Sequence, residues 1–386
     1  MTDSARRVQL QVRRIESPQA AELFITALPV SATSGRCAGR SEEPPDISDQ
    51  AREVFTAIAA LLREQRASLW MERVFAPAEH VDALRSIRAA AYGDLADPVE
   101  PCWLAPPGPG LGGVQVHALQ SSARPDTLTV DAKPVGRRLI LGERRWITGV
   151  GLGNGSTGDG KTQAQAAFRQ ARSLLAGGDA DFHAVARTWF FLDDILGWYD
   201  TFNQVRNAFF REQGLIGDAQ RGEYLPASTG IGVSPARGKV ALDLLAVAGP
   251  DCRITCYQAV GRQRSAFEYG SAFSRASRMP SPGGETLFVS GTAAIDAAGR
   301  SCHPGDARAQ IRMTLENVRA VLAGADYAPR DVVQAIAYCA TPEVAAEFQA
   351  AWAGEVGWPF VTVIGDICRR ELLFEIEATA AKSGQR

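Results

Sequence analysis

Apolar positions along this chain alternate between two rhythms, and the alternation recurs three times in the same order. Short apolar runs of strand type, Leu23-Phe24-Ile25-Thr26, Trp146-Ile147-Thr148-Gly149 and Leu287-Phe288-Val289-Ser290-Gly291, each end in a small residue. Each is followed by a stretch of helical period that opens with Asp-x-x-x-Gln, at Asp46/Gln50, Asp159/Gln163 and Asp306/Gln310. A leucine follows every one of these glutamines at the same spacing: Leu62, Leu175 and Leu322. In the third copy Ile311, Leu315, Val318 and Leu322 fall on one helix face, Asp306 suits an N-cap, and Gly324 with Asp326 ends the helix. The second and third copies also share Pro-x-x-Thr-x-Ile-Gly, from Pro226 to Gly232 and from Pro359 to Gly365.

Each copy reads as strand, strand, helix, strand, helix, strand. The third predicts a strand pair over 286–295, a helix over 306–322, a strand over 332–339, a helix over 342–355, and strands over 360–367 and 372–380. The second predicts helices over 160–175 and 199–211 and strands over 185–192 and 240–248. The first, more degenerate, keeps helices over 46–62 and 81–92, a strand over 70–75 and a closing strand over 113–118. Residues 119–136 and 249–265 read as linkers. Strands interleaved with helices of this length indicate α+β units, a mixed sheet with helices on one face. The expected layout is three units, 1–135, 136–250 and 265–386, packed as a covalent pseudo-trimer.

Composition narrows the function classes. A hydrophobic share of 46%, a charged share of 22% and a net charge of −2 describe an ordinary soluble protein with no global pull toward nucleic acid or membrane. No apolar run reaches the ~20 residues of a membrane span, and the first residues carry no apolar leader, so a cytoplasmic location is expected. The seven cysteines are scattered and the four histidines lack metal-ligand spacing, so neither metal nor cofactor is expected. The run from Gly149 to Gly155 lacks the order of a phosphate loop and is read as backbone that turns or approaches closely.

The third copy resembles the RidA/YjgF family in Leu287-Phe288-Val289-Ser290-Gly291, Gly305-Asp306-x3-Gln310, Asp331-Val332-Val333 and Glu375-Ile376-Glu377-Ala378-Thr379-Ala380. That family forms homotrimers with sites between subunits, which three fused copies would reproduce in a monomer. Its deaminase branch carries an arginine where this chain has Val361 and Ser228, so imine deamination becomes the rival reading. A narrower resemblance joins the second and third copies to the chorismatases. It is carried by Trp198-Tyr199-Asp200-x-Phe202-Asn203-x-x-Arg206-Asn207, by Ser228-Thr229-Gly230-Ile231-Gly232, by the segment from Tyr269 to Ala276, and by Cys368 placed seven residues before Glu375.

The chorismatase resemblance implies a small-molecule substrate, chorismate, and a carboxylic acid that protonates the enolpyruvyl methylene. Glu375 matches the family's glutamate. Strand alternation puts Leu373, Glu375, Glu377 and Thr379 on one face, so an apolar neighbour and a second carboxylate both raise its pKa. Arg275 and Arg206 are the expected carboxylate ligands. Tyr199, Tyr269 and Gly230 are expected at the substrate, and Ala276 is expected to narrow the pocket. Cys368 resembles the branch that forms 3-hydroxybenzoate, with 4-hydroxybenzoate as a further product and the diene diol of the hydrolytic branch as the alternative. Asp243 is read as the second unit's counterpart of Glu375, and the first unit as structural, so one productive site is expected. A binding module without catalysis is the third possibility.

Overall fold

The computed structural model describes residues 7–30, 46–217 and 224–384, apart from the side chain of Tyr269. The first unit runs β1 (Val8–Glu16), β2 (Ala20–Pro29), α1 (Ile47–Gln65), β3 (Ser68–Phe75), α2 (Val81–Tyr92), β4 (Cys102–Ala105) and β5 (Gly113–Ser121). The second runs β6 (Asp126–Val130), β7 (Lys133–Leu141), β8 (Arg144–Leu152), α3 (Gly160–Gly177), β9 (Val185–Leu192), α4 (Ile195–Glu212), β10 (Ala227–Ile231), β11 (Ser234–Pro235) and β12 (Val240–Ala248). The third comprises β13 (Thr255–Tyr257), β14 (Ala276–Ser281), β15 (Gly284–Ala293), α5 (Ala307–Gly324), β16 (Val332–Cys339), α6 (Pro342–Ala351), β17 (Phe360–Ile364) and β18 (Phe374–Ser383).

Three six-stranded sheets result, ordered β1-β2-β5-β3-β4-β11, β6-β7-β8-β12-β9-β10 and β13-β14-β15-β18-β16-β17. The five strands common to all three have one topology, with the closing strand (β5, β12 or β18) between an antiparallel hairpin and a parallel pair joined through a helix. Strand β11 leaves its own unit to pair with β4 of the first. The stretch 119–136, read as a linker, instead holds the end of β5 and a hairpin of β6 and β7. Its turn places Asp131 and Ala132 at φ 51 and 60, the geometry that favours Asn-Gly or Asp-Gly, and alanine hides that signal. Likewise 249–265 carries β13, too short at three residues to show alternation.

The recurrent Asp-x-x-x-Gln now has a mechanical explanation. Asp159 and Asp306 cap α3 and α5, accepting from the Thr162 and Ala309 N–H groups, while Asp46 flanks α1 without a side-chain cap. The glutamine oxygens reach across to the closing strands: Gln50 accepts from Leu111 N–H at 3.1 Å, Gln163 from Lys239 at 2.7 Å and Gln310 from Leu373 at 2.8 Å. Each bracket thus fixes where a closing strand enters its sheet. Leu62, Leu175 and Leu322 are wholly buried between helix and sheet.

Each sheet keeps a separate helix-side core, and the opposite faces meet in one shared core that includes Met71, Phe75, Trp189, Phe191, Ile336 and Tyr338. Pairing within the sheets sets Gln115 opposite Arg73, Asp243 opposite Trp189 and Glu377 opposite Ile336. These three closing-strand residues are therefore equivalent, and each reaches into the next unit. Glu377 receives Arg187 of the second unit at 2.9 Å, Asp243 receives Arg73 of the first at 2.8 Å, and Gln115 donates to the Ala335 carbonyl of the third at 2.8 Å. The contacts close a ring, as heterologous interfaces do when their rotation closes. The same register corrects one expectation. Asp243 answers to Glu377, and the counterparts of Glu375 are Ala241 and Gly113.

Arg73 and Asp243 are both buried, so removing one partner strands a charge in the shared core. Arg73→Met and Asp243→Leu are each expected to destabilise the chain by about 3–5 kcal/mol, and the double variant to recover most of that loss. Urea titration of the four proteins measures the coupling, and equal, additive losses would contradict the pairing.

Candidate active site

A cavity of about 160 Å³ lies between the second and third units. Helix α4 contributes Tyr199, Asp200 and Asn203. A break in that helix at Trp198 (φ −151, ψ 16) immediately precedes them, and the Trp198 indole is tied to the Asp193 carbonyl at 2.8 Å. Strand β10 supplies Ser228 and Gly230, and the segment before β14 supplies Ser271, Phe273 and Arg275. The third unit closes the space with Gly291, Ala293, Ile295, Cys368, Arg369 and Glu375.

Glu375 lies opposite Tyr338 on β16 and Ala293 on β15 and is only 5% exposed. Burial pushes its carboxyl pKa up to about 8, with the nearby Glu377 adding to the rise and Arg187 and Arg275 opposing it. At neutral pH it is mostly a protonated acid, for the two reasons its strand neighbours suggested. Its partner Glu377 is bound on both oxygens, by Arg187 at 2.9 Å and by the Trp189 indole N–H at 2.7 Å. Burial draws the Arg187 guanidinium down to about 10, which leaves it charged at neutral pH.

Gly291 is the residue that sequence reasoning missed as a functional requirement. The β15–β18 pairing shifts register between Val289 and Thr292, and this bulge turns Gly291 toward the acid. A Cβ there would lie 2.1 Å from the Glu375 Oε1, so only glycine leaves that oxygen its place. The Gly291 N–H donates to Thr229 Oγ at 3.0 Å, and the same hydroxyl accepts from Arg187 at 2.6 Å. That Gly291 ends its strand run was visible in the sequence; its reason was not.

The other expected residues divide. Tyr199, Gly230, Arg275, Cys368 and Glu375 are brought together at the cavity. Burial raises the Tyr199 hydroxyl to about 12, and burial followed by the nearby Glu375 raises the Cys368 thiol to about 12, so both stay neutral. Arg206 is fully buried and does not line the cavity. Its Nη2 donates to Asn203 Oδ1 at 2.6 Å, and its guanidinium stands 5.5 Å from the Phe273 ring centre, so it braces two wall residues from behind. Ala276 does not narrow the pocket. One residue past Arg275 on β14, it packs with Leu287 and Val289 in the third unit's helix-side core. Tyr269 ends a short 3-10 turn, and its side chain is outside the described residues.

Arg369 lines the cavity although only its neighbour Cys368 drew notice in the sequence. Asp200, Ser271 and Phe273 sit inside the stretches that carried the chorismatase resemblance, but nothing in one sequence assigned them a role. Val361 is wholly buried in the shared core, in the cleft opposite Gly113. The glycine run of the second unit lies elsewhere, with Gly153 pressed against Ala167 of α3. Among the described residues no group of three or more His, Cys, Asp or Glu is placed to hold a metal, and no helix is long and apolar enough to cross a membrane.

The endoribonuclease L-PSP family profile matches residues 265–382. A 3-hydroxybenzoate synthase of Streptomyces hygroscopicus is 29% identical over 219 residues, covering 51% of this chain and 63% of that protein. The chain thus spans less than two thirds of that relative's length. A RutC family protein of Pyrococcus horikoshii is 32% identical over 102 residues, which cover 26% of this chain and 81% of the relative. A solved chorismatase structure superposes with a TM-score of 0.57 at 18% identity, covering 96% of this chain and all of that one.

The elevated Glu375 has a consequence for stability. The folded protein retains a proton that the unfolded chain gives up above the ordinary glutamate value of 4.5. Stability from this group is therefore full below about 4.5 and is lost as pH rises through about 8. Replacing Glu375 with Gln should raise the melting temperature relative to wild type at pH 9 and close that gap at pH 5. Calorimetric scans at both values check it; a gap independent of pH would mean that the acid is not held protonated.

Proposed function

The chain belongs to the RutC family of endoribonuclease L-PSP-like proteins, with a chorismatase-like fold over nearly its whole length, and on that premise we propose that it cleaves the enolpyruvyl ether of chorismate. The observation that carries this reading is a buried carboxylic acid, Glu375, held protonated at the wall of a cleft that also presents two arginines. An enol ether carbon is a weak base, so its protonation needs an acid that is still protonated at neutral pH and already aimed. Glu375 delivers that proton to the methylene carbon, and the adjacent ether carbon becomes an oxocarbenium. If water adds to that carbon, the hemiketal breaks its bond to the ether oxygen, which stays on the ring as a hydroxyl while pyruvate leaves. If the neighbouring ring hydroxyl adds and gives up its proton, the cyclic ketal breaks its bond to the ether oxygen and the ring carbon–oxygen bond of the added hydroxyl. Pyruvate then carries that oxygen away, the ring loses a proton to aromatise and the retained oxygen gains one.

Two products follow from the same first step. Loss of pyruvate with aromatisation converts chorismate to 3-hydroxybenzoate with no net water, whereas hydrolysis consumes one water and leaves a diene diol. The reading favours 3-hydroxybenzoate, with 4-hydroxybenzoate as a minor product, because Cys368 stands on the cavity wall near Glu375. With a thiol pKa of about 12, Cys368 acts as a weak neutral donor and not as a base. The imine-deaminase rival is disfavoured by Ser228 and by Val361, which is packed in core where an anion-binding arginine would stand. The residues that line the cavity all come from one chain, which suits the reading of a monomer.

Glu375→Gln preserves shape and removes the proton, so pyruvate release from chorismate should fall ~10²-fold or more. Wild-type kcat should decline as pH rises through about 8, where Glu375 ionises. A coupled pyruvate assay across pH decides both, and near wild-type turnover in the variant would overturn the assignment. Cys368→Ala should lower the hydroxybenzoate yield while pyruvate release continues, since ether cleavage depends on Glu375. Chromatography of the products separates these outcomes: an unchanged aromatic yield removes the cysteine from the mechanism.

A further inference from the structure

The cavity is lined by two cationic side chains, and their positions relative to the acid differ. Arg275, 2% exposed, is fixed by its Nε donating to the Arg264 carbonyl at 2.9 Å, and its charge acts on Glu375. Arg369 lines the same cavity directly after Cys368, and its charge acts on that thiol. Its Nη1 donates to the Gly299 carbonyl at 3.0 Å and to Ser301 Oγ at 3.1 Å, while the Ser301 hydroxyl donates to Glu371 at 2.8 Å. Ser301 in turn bridges to Ile295, itself a cavity wall. Arg369 is therefore held against the cavity by a hairpin that also forms part of its lining.

Resting on the chorismatase reading, we infer that Arg369 binds the carboxylate borne by the substrate's six-membered ring, leaving the enolpyruvyl carboxylate to Arg275. The chemistry fixes which arginine takes which group. The enolpyruvyl carboxylate is attached to the carbon next to the methylene that Glu375 protonates, so it lies beside Glu375. Of the two arginines whose charge acts on Glu375, Arg187 is paired with Glu377 and Arg275 lines the cavity. The ring carboxylate sits on a ring carbon in the 1,3 relation to the one that bears the ether oxygen, so it needs a cation of its own, and Arg369 is the second one on the lining. Arg206, the other sequence candidate, stands behind Asn203 and Phe273 and does not face the cavity. Phe273, Ala293 and Ile295 give the ring apolar walls between the two ends. With Glu375 protonated, the lining carries two arginines and one other carboxyl group, Asp200, a net positive balance that suits an anionic ligand. Arg369 is thus the residue that sets the orientation of the ring and selects for ring acids.

The test uses 3-hydroxybenzoate as the probe, because it carries the ring carboxylate and lacks the enolpyruvyl arm. Calorimetric titration of wild type, Arg369→Met and Arg369→Lys should show binding to wild type, a loss of at least ~10-fold in the methionine variant, and partial recovery with lysine, in keeping with a charge-assisted hydrogen bond. With chorismate, Arg369→Met should raise KM by ~10–100-fold while kcat changes less than ~3-fold and the alkaline limb of the pH profile stays in place. Affinity for 3-hydroxybenzoate within ~2-fold of wild type in Arg369→Met, or no binding to wild type at millimolar probe, would overturn the inference. Failure of wild type to release pyruvate from chorismate would instead sink the reading on which it rests, and the probe titration reports on Arg369 independently of that result.

Discussion

Everything in this molecule depends on three closing strands each placing one polar side chain into the neighbouring unit. Glu377 on Arg187, Asp243 on Arg73 and Gln115 on a backbone carbonyl close a ring through the shared core. Trp189 stands among them, with the Arg73 guanidinium 4.0 Å and the Arg187 guanidinium 4.6 Å from its ring centre. Groups this deeply buried are tolerated only when paired, so the ring specifies which face of each sheet turns inward and which unit follows which. Apolar packing supplies the bulk of the stabilisation, and the ring supplies the register.

The candidate site is a by-product of that register. Once Glu377 is held by Arg187 and Trp189, strand alternation carries Glu375 to the mouth of the same interface, where water is scarce and a fixed negative charge is near. The bulge at Gly291 keeps the space beside its oxygen open, and the Thr229 hydroxyl joins that bulge to the arginine that holds Glu377. Acid, counter-charge and bulge form one connected set, so the proton's environment is set by the interface between units and by neither unit alone.

Much of this was legible in the sequence because the repeated positions obey local rules. Helical period, N-cap aspartates and buried leucines depend on neighbours a few residues away, and strands such as 185–192, 332–339 and 240–248 fell where the pattern put them. The pairing of Glu375 with a second carboxylate also followed from alternation alone. What the sequence concealed was long-range or backbone-determined. Arg187 lies 190 residues from Glu377, the β6–β7 turn uses alanine where glycine is usual, and the bulge at Gly291 exists only against its partner strand. Arg206 and Ala276 were misplaced for a related reason. Spacing gives the face of a helix or strand, but whether that face looks into a cavity or into a core depends on units far away in the chain.

The three equivalent positions Gly113, Ala241 and Glu375 show what covalent fusion permits. In a trimer of identical subunits every substitution is made three times, so a costly buried acid would have to be accommodated at all three interfaces. Here one interface carries the acid, while its two counterparts hold residues with no charge to hide. Breaking the symmetry confines the energetic burden of the site to a third of the ring and leaves the remaining two thirds free to serve as scaffold.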